Sequence, residues 1–435
     1  MTMPSVRLAA VRALIVYAMV LVPGHLALAD SLKLSLDEAR RLAFERNWDL
    51  LASKANVDAA LARRLVAKEF PNPTLSLSSA KIPADSAQPV GTALGNDVFN
   101  RSYDTIIAVN QLIEIGGKRS ARRASALAGH ESAVARFDDA RRQLDLAVSR
   151  AYIAVLKAES TAAIMRESAA SLRKESTIAA QRLRVGDISS SDQLQIEIAA
   201  DRMELDARKA VSDSVTAKIQ MEVLLGLAKA KGEFMPSESL DALATGAEGG
   251  LPASGVQGSR PDVRAAEADA RKADADLRLE RAQRIPDPTV LLQYEHEPPD
   301  RPHTIGIGLS FPLPLWNRNR GSIAAAEAAR RSAEVNAAKT GAIAAAENAS
   351  SRNDWEAARG RWDDYARRIR PKSASIRDNV TFAYEKGGSS LIELLLAQRN
   401  DNEVRLSATE AAADLVLTRA AWRAASATIL PNHED

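Results

Sequence analysis

The sequence predicts a mainly α-helical chain that carries membrane-length β-strands and is built twice from one plan. Pro286 to Gly321 holds two runs of strict alternation, Thr289–Glu297 and Thr304–Leu313, around a polar, proline-rich loop. In the second run Ile305, Ile307, Leu309 and Phe311 point one way, and Gly306, Gly308 and Ser310 the other. A period of two is the strand period. Each run is about 9–10 residues, enough to cross a membrane as a tilted strand. Nearly everything else reads as helix. Lys118 to about Arg184 has no proline and a single glycine, Gly129, and would extend roughly 100 Å. The same order of elements then recurs about 200 residues further on.

Composition bounds the reading. The 435 residues are 46% hydrophobic and 26% charged, with only 4% aromatic residues. Alanine is abundant instead, which favours long, closely packed helices over a thick core. Arg7 and Arg12, the apolar Ala13–Val22 and the small-residue pattern Ala27-Leu28-Ala29 read as an export signal over 1–29, with the mature chain starting at Asp30. That segment holds two arginines and no acid, so the formal charge of +2 falls to zero on cleavage. No basic footprint points to nucleic acid. There is no cysteine, which excludes disulfides, thiol catalysis, Cys-based metal sites and an acylated N-terminal Cys.

The first repeat covers 30–227. Ser35-Leu36-Asp37-Glu38 is a capping box and opens a helix to about Phe70, bent near Asn47-Trp48. Pro71-Asn72-Pro73 ends it. Strands follow at 74–81 and 103–113, separated by the Gly/Pro/Asn/Asp-rich loop Ile82–Arg101. A helical hairpin occupies 118–226. In its long first helix Leu127, Val134, Phe137, Leu144, Val148, Tyr152 and Val155 recur at three- and four-residue steps. Gly186-Asp187-Ile188-Ser189-Ser190 breaks it, and Ser191 is expected to cap the returning helix. Residues 228–258 read as an irregular linker with short structure at most.

The second repeat covers 259–435. Pro261 starts a helix to about Arg284, and Pro286-Asp287-Pro288-Thr289 echoes Pro71-Asn72-Pro73-Thr74. The strands at 289–297 and 304–313 lead to a helical hairpin over 322–427. Its first helix is expected to run unbroken from about Ser322 to Lys386. Gly387-Gly388-Ser389-Ser390 turns it around.

Four strands of this length cannot close a barrel, which needs about eight or more. An open edge in lipid leaves backbone groups unpaired, so the barrel must be shared between protomers. Two chains would give eight strands and a filled interior, three would give twelve and a usable bore. The long helices would then continue the barrel as a tube.

This duplicated plan resembles TolC-type outer-membrane factors over essentially the whole mature chain. Ser259-Arg260-Pro261-Asp262-Val263-Arg264-Ala265-Ala266-Glu267 is similar to that family's opening of the second repeat. Leu313-Pro314-Leu315-Trp316-Asn317-Arg318-Asn319-Arg320-Gly321 resembles a segment of its cation-efflux branch, the cobalt–zinc–cadmium resistance type, with Trp316 in place of the usual Phe. The resemblance implies a homotrimer in the outer-membrane lipid, with four strands per protomer in a trimeric 12-stranded outer-membrane β-barrel and long helices in a periplasmic α-barrel. It implies docking to a periplasmic adaptor (membrane fusion) protein and an inner-membrane RND pump. The expected role is the exit duct for heavy-metal cations. Drugs, organic toxins or type I protein secretion are alternative cargoes, and a periplasmic adaptor or a coiled-coil scaffold are alternative roles.

The same resemblance places the pore gate and adaptor contact in the two helix turns, Val185–Asp192 and Lys386–Glu393. Gly186, Asp187, Gly387 and Gly388 form the breaks. Glu393 matches a family position whose acids ring the pore, with Asp192 as its counterpart, while Leu396 stands where a second acid is common. The competing account of each acid is a helix N-terminal residue favoured by the dipole.

Other signals carry less. Glu295-His296-Glu297, Asp300 and His303 are placed in the loop between strands at no recognised metal-ligand spacing, and read as a polar surface loop. His130 reads as a surface residue of the long helix. Gly116-Gly117-Lys118-Arg119 lacks the rest of a phosphate loop. No catalytic constellation stands out, so neither an enzyme nor a cofactor is expected.

Overall fold

The computed structural model describes residues 32–80, 104–249, 260–297 and 301–426. The expected leader, the loop 82–101, Asp300 and the last residues lie outside the described residues. The first repeat contains β1 (Lys33–Leu34), α1 (Leu36–Arg46), α2 (Trp48–Val66), β2 (Thr74–Ala80), β3 (Asp104–Leu112), α3 (Lys118–Arg184) and α4 (Ser190–Leu224). A linker with β4 (Met235–Pro236) and α5 (Leu240–Ala247) leads to the second repeat. That holds α6 (Pro261–Ala282), β5 (Thr289–Glu297), β6 (Arg301–Ser310), α7 (Arg320–Asp363), a π-helical turn (Asp364–Ile369), α8 (Arg370–Glu385) and α9 (Leu391–Ala425).

The alternating runs form one antiparallel sheet in the order β2-β3-β5-β6. β3 and β5 meet at its centre, so the repeats join side by side and each contributes an outer strand. The register sorts the side chains. Leu75, Val109, Leu292 and Ile307 stand in one row, and Leu77, Ile107, Tyr294 and Ile305 in the next. These residues share one face. The opposite face has Ser76, Ala108, Gln293 and Gly306 in a row. Among the described residues much of the apolar face is uncovered: Leu75 is 74% exposed and Ile307 82%. The outer edges of β2 and β6 have no partner strand among the described residues. β6 ends at Ser310 rather than Leu313, because Pro312 and Pro314 bring no N–H to a ladder. Its start lies earlier than expected, at Arg301.

The expected hinge near Asn47 is a cap shared by two helices. The Asn47 carboxamide oxygen accepts from the N–H groups of Asp49 and Leu50, and its Nδ2 donates to Leu224 O. The Ser35–Glu38 box forms as read. The cap of α4 is Ser189, not Ser191: Ser189 Oγ accepts from Asp192 N, and the Asp192 carboxylate accepts in return. An unbroken helix over Ser322–Lys386 is not what forms. That expectation overlooks Pro371, which cannot donate to the carbonyl four residues back and crowds it. The ladder slips to π geometry over Asp364–Ile369, just ahead of the proline.

The helices form a layer, with α3 packed between α4, α6, α9 and α2. Its buried face in the half nearer the sheet differs from the expected stripe. Leu127 and Val134 are exposed, and the packed positions are Ala121, Ser125, Ala128, Ser132 and Ala135. Those steps of four and three make a seam of small residues, against which α6 sets Ala268 and Ala275. Ser125 and Ser132 donate across it to Asp276 and Asp269. Small side chains let two helices approach closely, which is what the alanine-rich composition serves. Leu144, Val148, Tyr152 and Val155 are buried as read. They belong to the main core at the level of the linker, where Tyr152 meets Phe234 edge-on at 5.8 Å and Trp355 meets Trp422 at 5.0 Å. β1 and β4 pair in parallel and tie the linker to the start of repeat 1.

Candidate functional site

Both helix turns are built alike. Gly186 (φ +79°) and Gly387 (φ +77°) adopt the left-handed conformation that ends a helix. Asp187 N donates to Arg182 O at 2.9 Å, and Gly388 N to Ala383 O at 2.8 Å. A Cβ at either Gly186 or Gly387 would meet nothing within 4 Å, so backbone conformation, not space, selects glycine there.

Asp192 and Glu393 occupy equivalent positions, the third residue of a capped helix. Glu393 Oε2 accepts from Ser389 Oγ at 2.7 Å and from Ser390 N at 2.9 Å. These bonds, that from Ser389 first, hold its pKa below the ordinary carboxylate value. Asp192 accepts from Ser189 Oγ at 2.8 Å. Each acid therefore caps its helix, Glu393 exposed and Asp192 half-buried beside the turn. Leu396 is 52% exposed one turn further along.

The fold brings the turns together. Ala179 from α3, Ile196 from α4, Tyr384 from α8 and Leu394 from α9 make a small apolar core just behind them. Arg182 binds Asp187 at 2.6 Å, and its guanidinium lies 5.1 Å from the Tyr384 ring centroid, so one residue links the first turn to the helix that enters the second. Burial pushes the Tyr384 hydroxyl pKa up, and Arg182 opposes it.

Glu175 is what the sequence reading missed. It is 1% exposed, and its Oε2 has no hydrogen-bond partner. Burial first, then the neighbouring Glu385, raise its pKa, against the weaker pull of Lys174. Its place was visible in principle: Leu172, Glu175 and Ala179 follow the three-and-four spacing of a core stripe, with an acid in the middle.

The residues set aside also find places. Lys118 Nζ donates to Ile285 O at 2.6 Å and pairs with Asp287 at 2.7 Å, tying the end of the first strand pair to the proline-rich entry of the second. Tyr294 Oη and His303 Nδ1 are 2.5 Å apart, and the His296 and His303 rings lie 5.4 Å apart on the apolar face of the sheet. Among the described residues no cluster of three or more His, Asp or Glu side chains could hold a metal ion.

Comparison with known proteins extends this geometry. The family described as "Outer membrane efflux protein" matches residues 39–227 and 254–428, once over each repeat. The cobalt-zinc-cadmium resistance protein CzcC of Cupriavidus metallidurans is 26% identical over 291 residues, 67% of this chain and 65% of that protein. The nickel-cobalt-cadmium resistance protein NccC of Alcaligenes xylosoxydans xylosoxydans is 24% identical over 277 residues, 64% of this chain and 60% of that one. The matches thus span a little less than two thirds of either relative. Among solved structures, the outer membrane protein VceC of Vibrio cholerae superposes with a TM-score of 0.72 at 17% identity, covering 90% of this chain and 96% of that one, a likeness of fold.

Proposed function

The chain belongs to the outer membrane efflux protein family, and from that membership we propose that it is the exit duct of a tripartite pump for heavy-metal cations. It sits in the outer membrane and extends into the periplasm. The observation that carries the duct is the sheet: among the described residues, four antiparallel strands with one largely exposed apolar face and no partner strand at either edge. A sheet edge cannot stand open in lipid, so β6 of one protomer pairs with β2 of the next. Three copies close twelve strands around a bore. The apolar band fits a bilayer. Tyr294 and His303 lie near one end and Phe311 near the other, and from His303 to Phe311 the strand advances about 26 Å. Trp316, 93% exposed, lies beyond it, where aromatic side chains favour a membrane interface.

Below the barrel, α4 presents Leu194, Ile198 and Leu205, and α8 presents Ile376 and Phe382, all exposed. These faces suit a second and a third copy of the chain. The names of CzcC and NccC support metal cations as the cargo. Energy comes from an inner-membrane RND pump reached through an adaptor, and the duct is passive. Gly186, Asp187, Gly387 and Gly388 then mark the periplasmic end, with Asp192 and Glu393 at its rim.

Outer-membrane fractionation with heat-modified gel mobility tests the duct, and recovery as a soluble monomer refutes it. Loss of the chain from cells with an intact pump and adaptor should lower resistance to cobalt, zinc or cadmium. Unchanged metal tolerance with loss of drug tolerance would reassign the cargo. Glu393→Ala should shift the reversal potential of a reconstituted channel under a salt gradient toward weaker cation preference, because three carboxylates at one level attract cations. An unshifted potential leaves Glu393 as a cap alone.

A further inference from the structure

On the flank of the main core, α1, α3, α5 and α9 enclose a hollow of about 560 Å³. Three guanidiniums line it, from Arg40, Arg419 and Arg423. Arg40 is ion-paired: its Nε lies 2.8 Å from Asp145 Oδ1, close but not aligned as a hydrogen bond, while Nη1 donates to Asp37 and Nη2 to Ser149 Oγ. Arg423 shares the other oxygen of Asp145 at 2.6 Å. Glu238, a further carboxylate in the wall, accepts from Leu36 N and the Tyr152 hydroxyl. Each acid around the hollow is thus committed to groups other than Arg419.

Arg419 is different. Its Nη1 donates to the Gly246 carbonyl at 2.7 Å, and its Nε is buried without an acceptor. Among the described residues it has no carboxylate partner. Burial first, and then Arg423 one helical turn away, pull its pKa below the ordinary guanidinium value. Two like charges thus face one cavity, one of them uncompensated and partly desolvated, which is costly unless an anion joins them. The rest of the wall is largely apolar, with Leu36, Leu243 and Val416.

We propose that this hollow binds an amphiphilic oxyanion. Its carboxylate or phosphate head bridges Arg419 and Arg423, and a short apolar chain lies on Leu243 and Val416. Guanidinium forks match the oxygens of such heads bidentately, and the apolar wall adds affinity that a bare inorganic ion cannot collect. The occupant joins α5 of the linker to α9 and so stiffens the level of the molecule where the two repeats are tied together. The site rests on the hollow alone, whatever the duct carries.

The test uses the full-length protein in non-ionic detergent, titrated separately with n-butyl phosphate, butyrate, inorganic phosphate and butanol. The thermal midpoint and calorimetric binding are read for each. n-Butyl phosphate and butyrate should raise the midpoint saturably and more than inorganic phosphate, with no saturable effect from butanol. Arg419→Gln should weaken the apparent affinity roughly ten-fold or more, as expected for loss of a charge-assisted bond. Arg419→Lys keeps the charge without the fork and should retain part of the shift, which also guards against a folding defect in the first variant. Equal stabilisation of wild type and Arg419→Gln overturns the site. Inorganic phosphate binding as tightly as its butyl ester overturns the amphiphilic assignment.

Discussion

At the scale of single residues, Glu175 sets the clearest pH dependence. A carboxyl with 1% exposure and one unpartnered oxygen favours its neutral form. Its folded pKa is raised, by burial and then Glu385. The unfolded chain gives up this proton near the ordinary carboxylate value of 4.5, while the folded tip holds it to higher pH. Stability is therefore greatest below that value and declines as pH rises toward the raised one. Glu175→Gln should stabilise the protein at neutral pH by about 1 kcal/mol or more. The gain should vanish in acid, where Glu175 is already neutral. Thermal midpoints at both pH values measure this, and a difference that does not change with pH refutes it. Such residues are hard to read from sequence, because an acid on a helix looks solvated until its neighbours are known. Local chemistry is far more legible. Ser35 with Glu38 could be read as a cap from four residues. Ser191 was misread because three serines stand in a row and only the backbone chooses among them: Ser189 is extended and caps, while Ser190 already lies in the helix.

At the scale of elements, period and punctuation carried most of the fold. Strict alternation located β5 to the residue, and the glycine turns divided the hairpins. What periodicity did not show was which face of a long helix packs. On α3 the larger apolar residues drew attention to Leu127 and Val134, while Ala121, Ser125, Ala128, Ser132 and Ala135 make the contact. The hydrophobic effect favours large side chains, but close helix packing favours small ones, and in this half of the helix packing decides. Ala128→Leu should therefore destabilise by about 1–3 kcal/mol through overpacking against α6. Gly129 is adjacent but open: a Cβ there would sit 3.6 Å from Lys272 Cδ, an ordinary contact. Gly129→Ala should gain up to about 1 kcal/mol of helix propensity. Thermal unfolding of the two variants should move in opposite directions. A tolerated Ala128→Leu would mean that the seam is looser than its burial implies.

At the scale of the whole molecule, the sheet and the helical layer are both unfinished in one protomer. Strand length alone exposed the shortfall of four strands, whereas the register that sorts an apolar face from a small, polar one needed the structure. The two faces predict opposite outcomes for the same substitution. Ile307 lies within the apolar band and is 82% exposed, so Ile307→Arg places a charge against lipid, at a cost of roughly 2–4 kcal/mol near the bilayer midplane. Ser76 belongs to the neighbouring row on the other face, with Ala108, Gln293 and Gly306. In the proposed duct, Ser76→Arg puts its guanidinium into the water-filled bore, where it is solvated and narrows the passage. The first variant should yield little heat-modifiable trimer in the outer membrane. The second should assemble at normal levels but conduct less in a planar bilayer, with weakened preference for cations. If Ile307→Arg assembles and Ser76→Arg does not, the faces are reversed. If both assemble alike, the strands do not meet lipid at this level, and the barrel must be built from a different register between protomers.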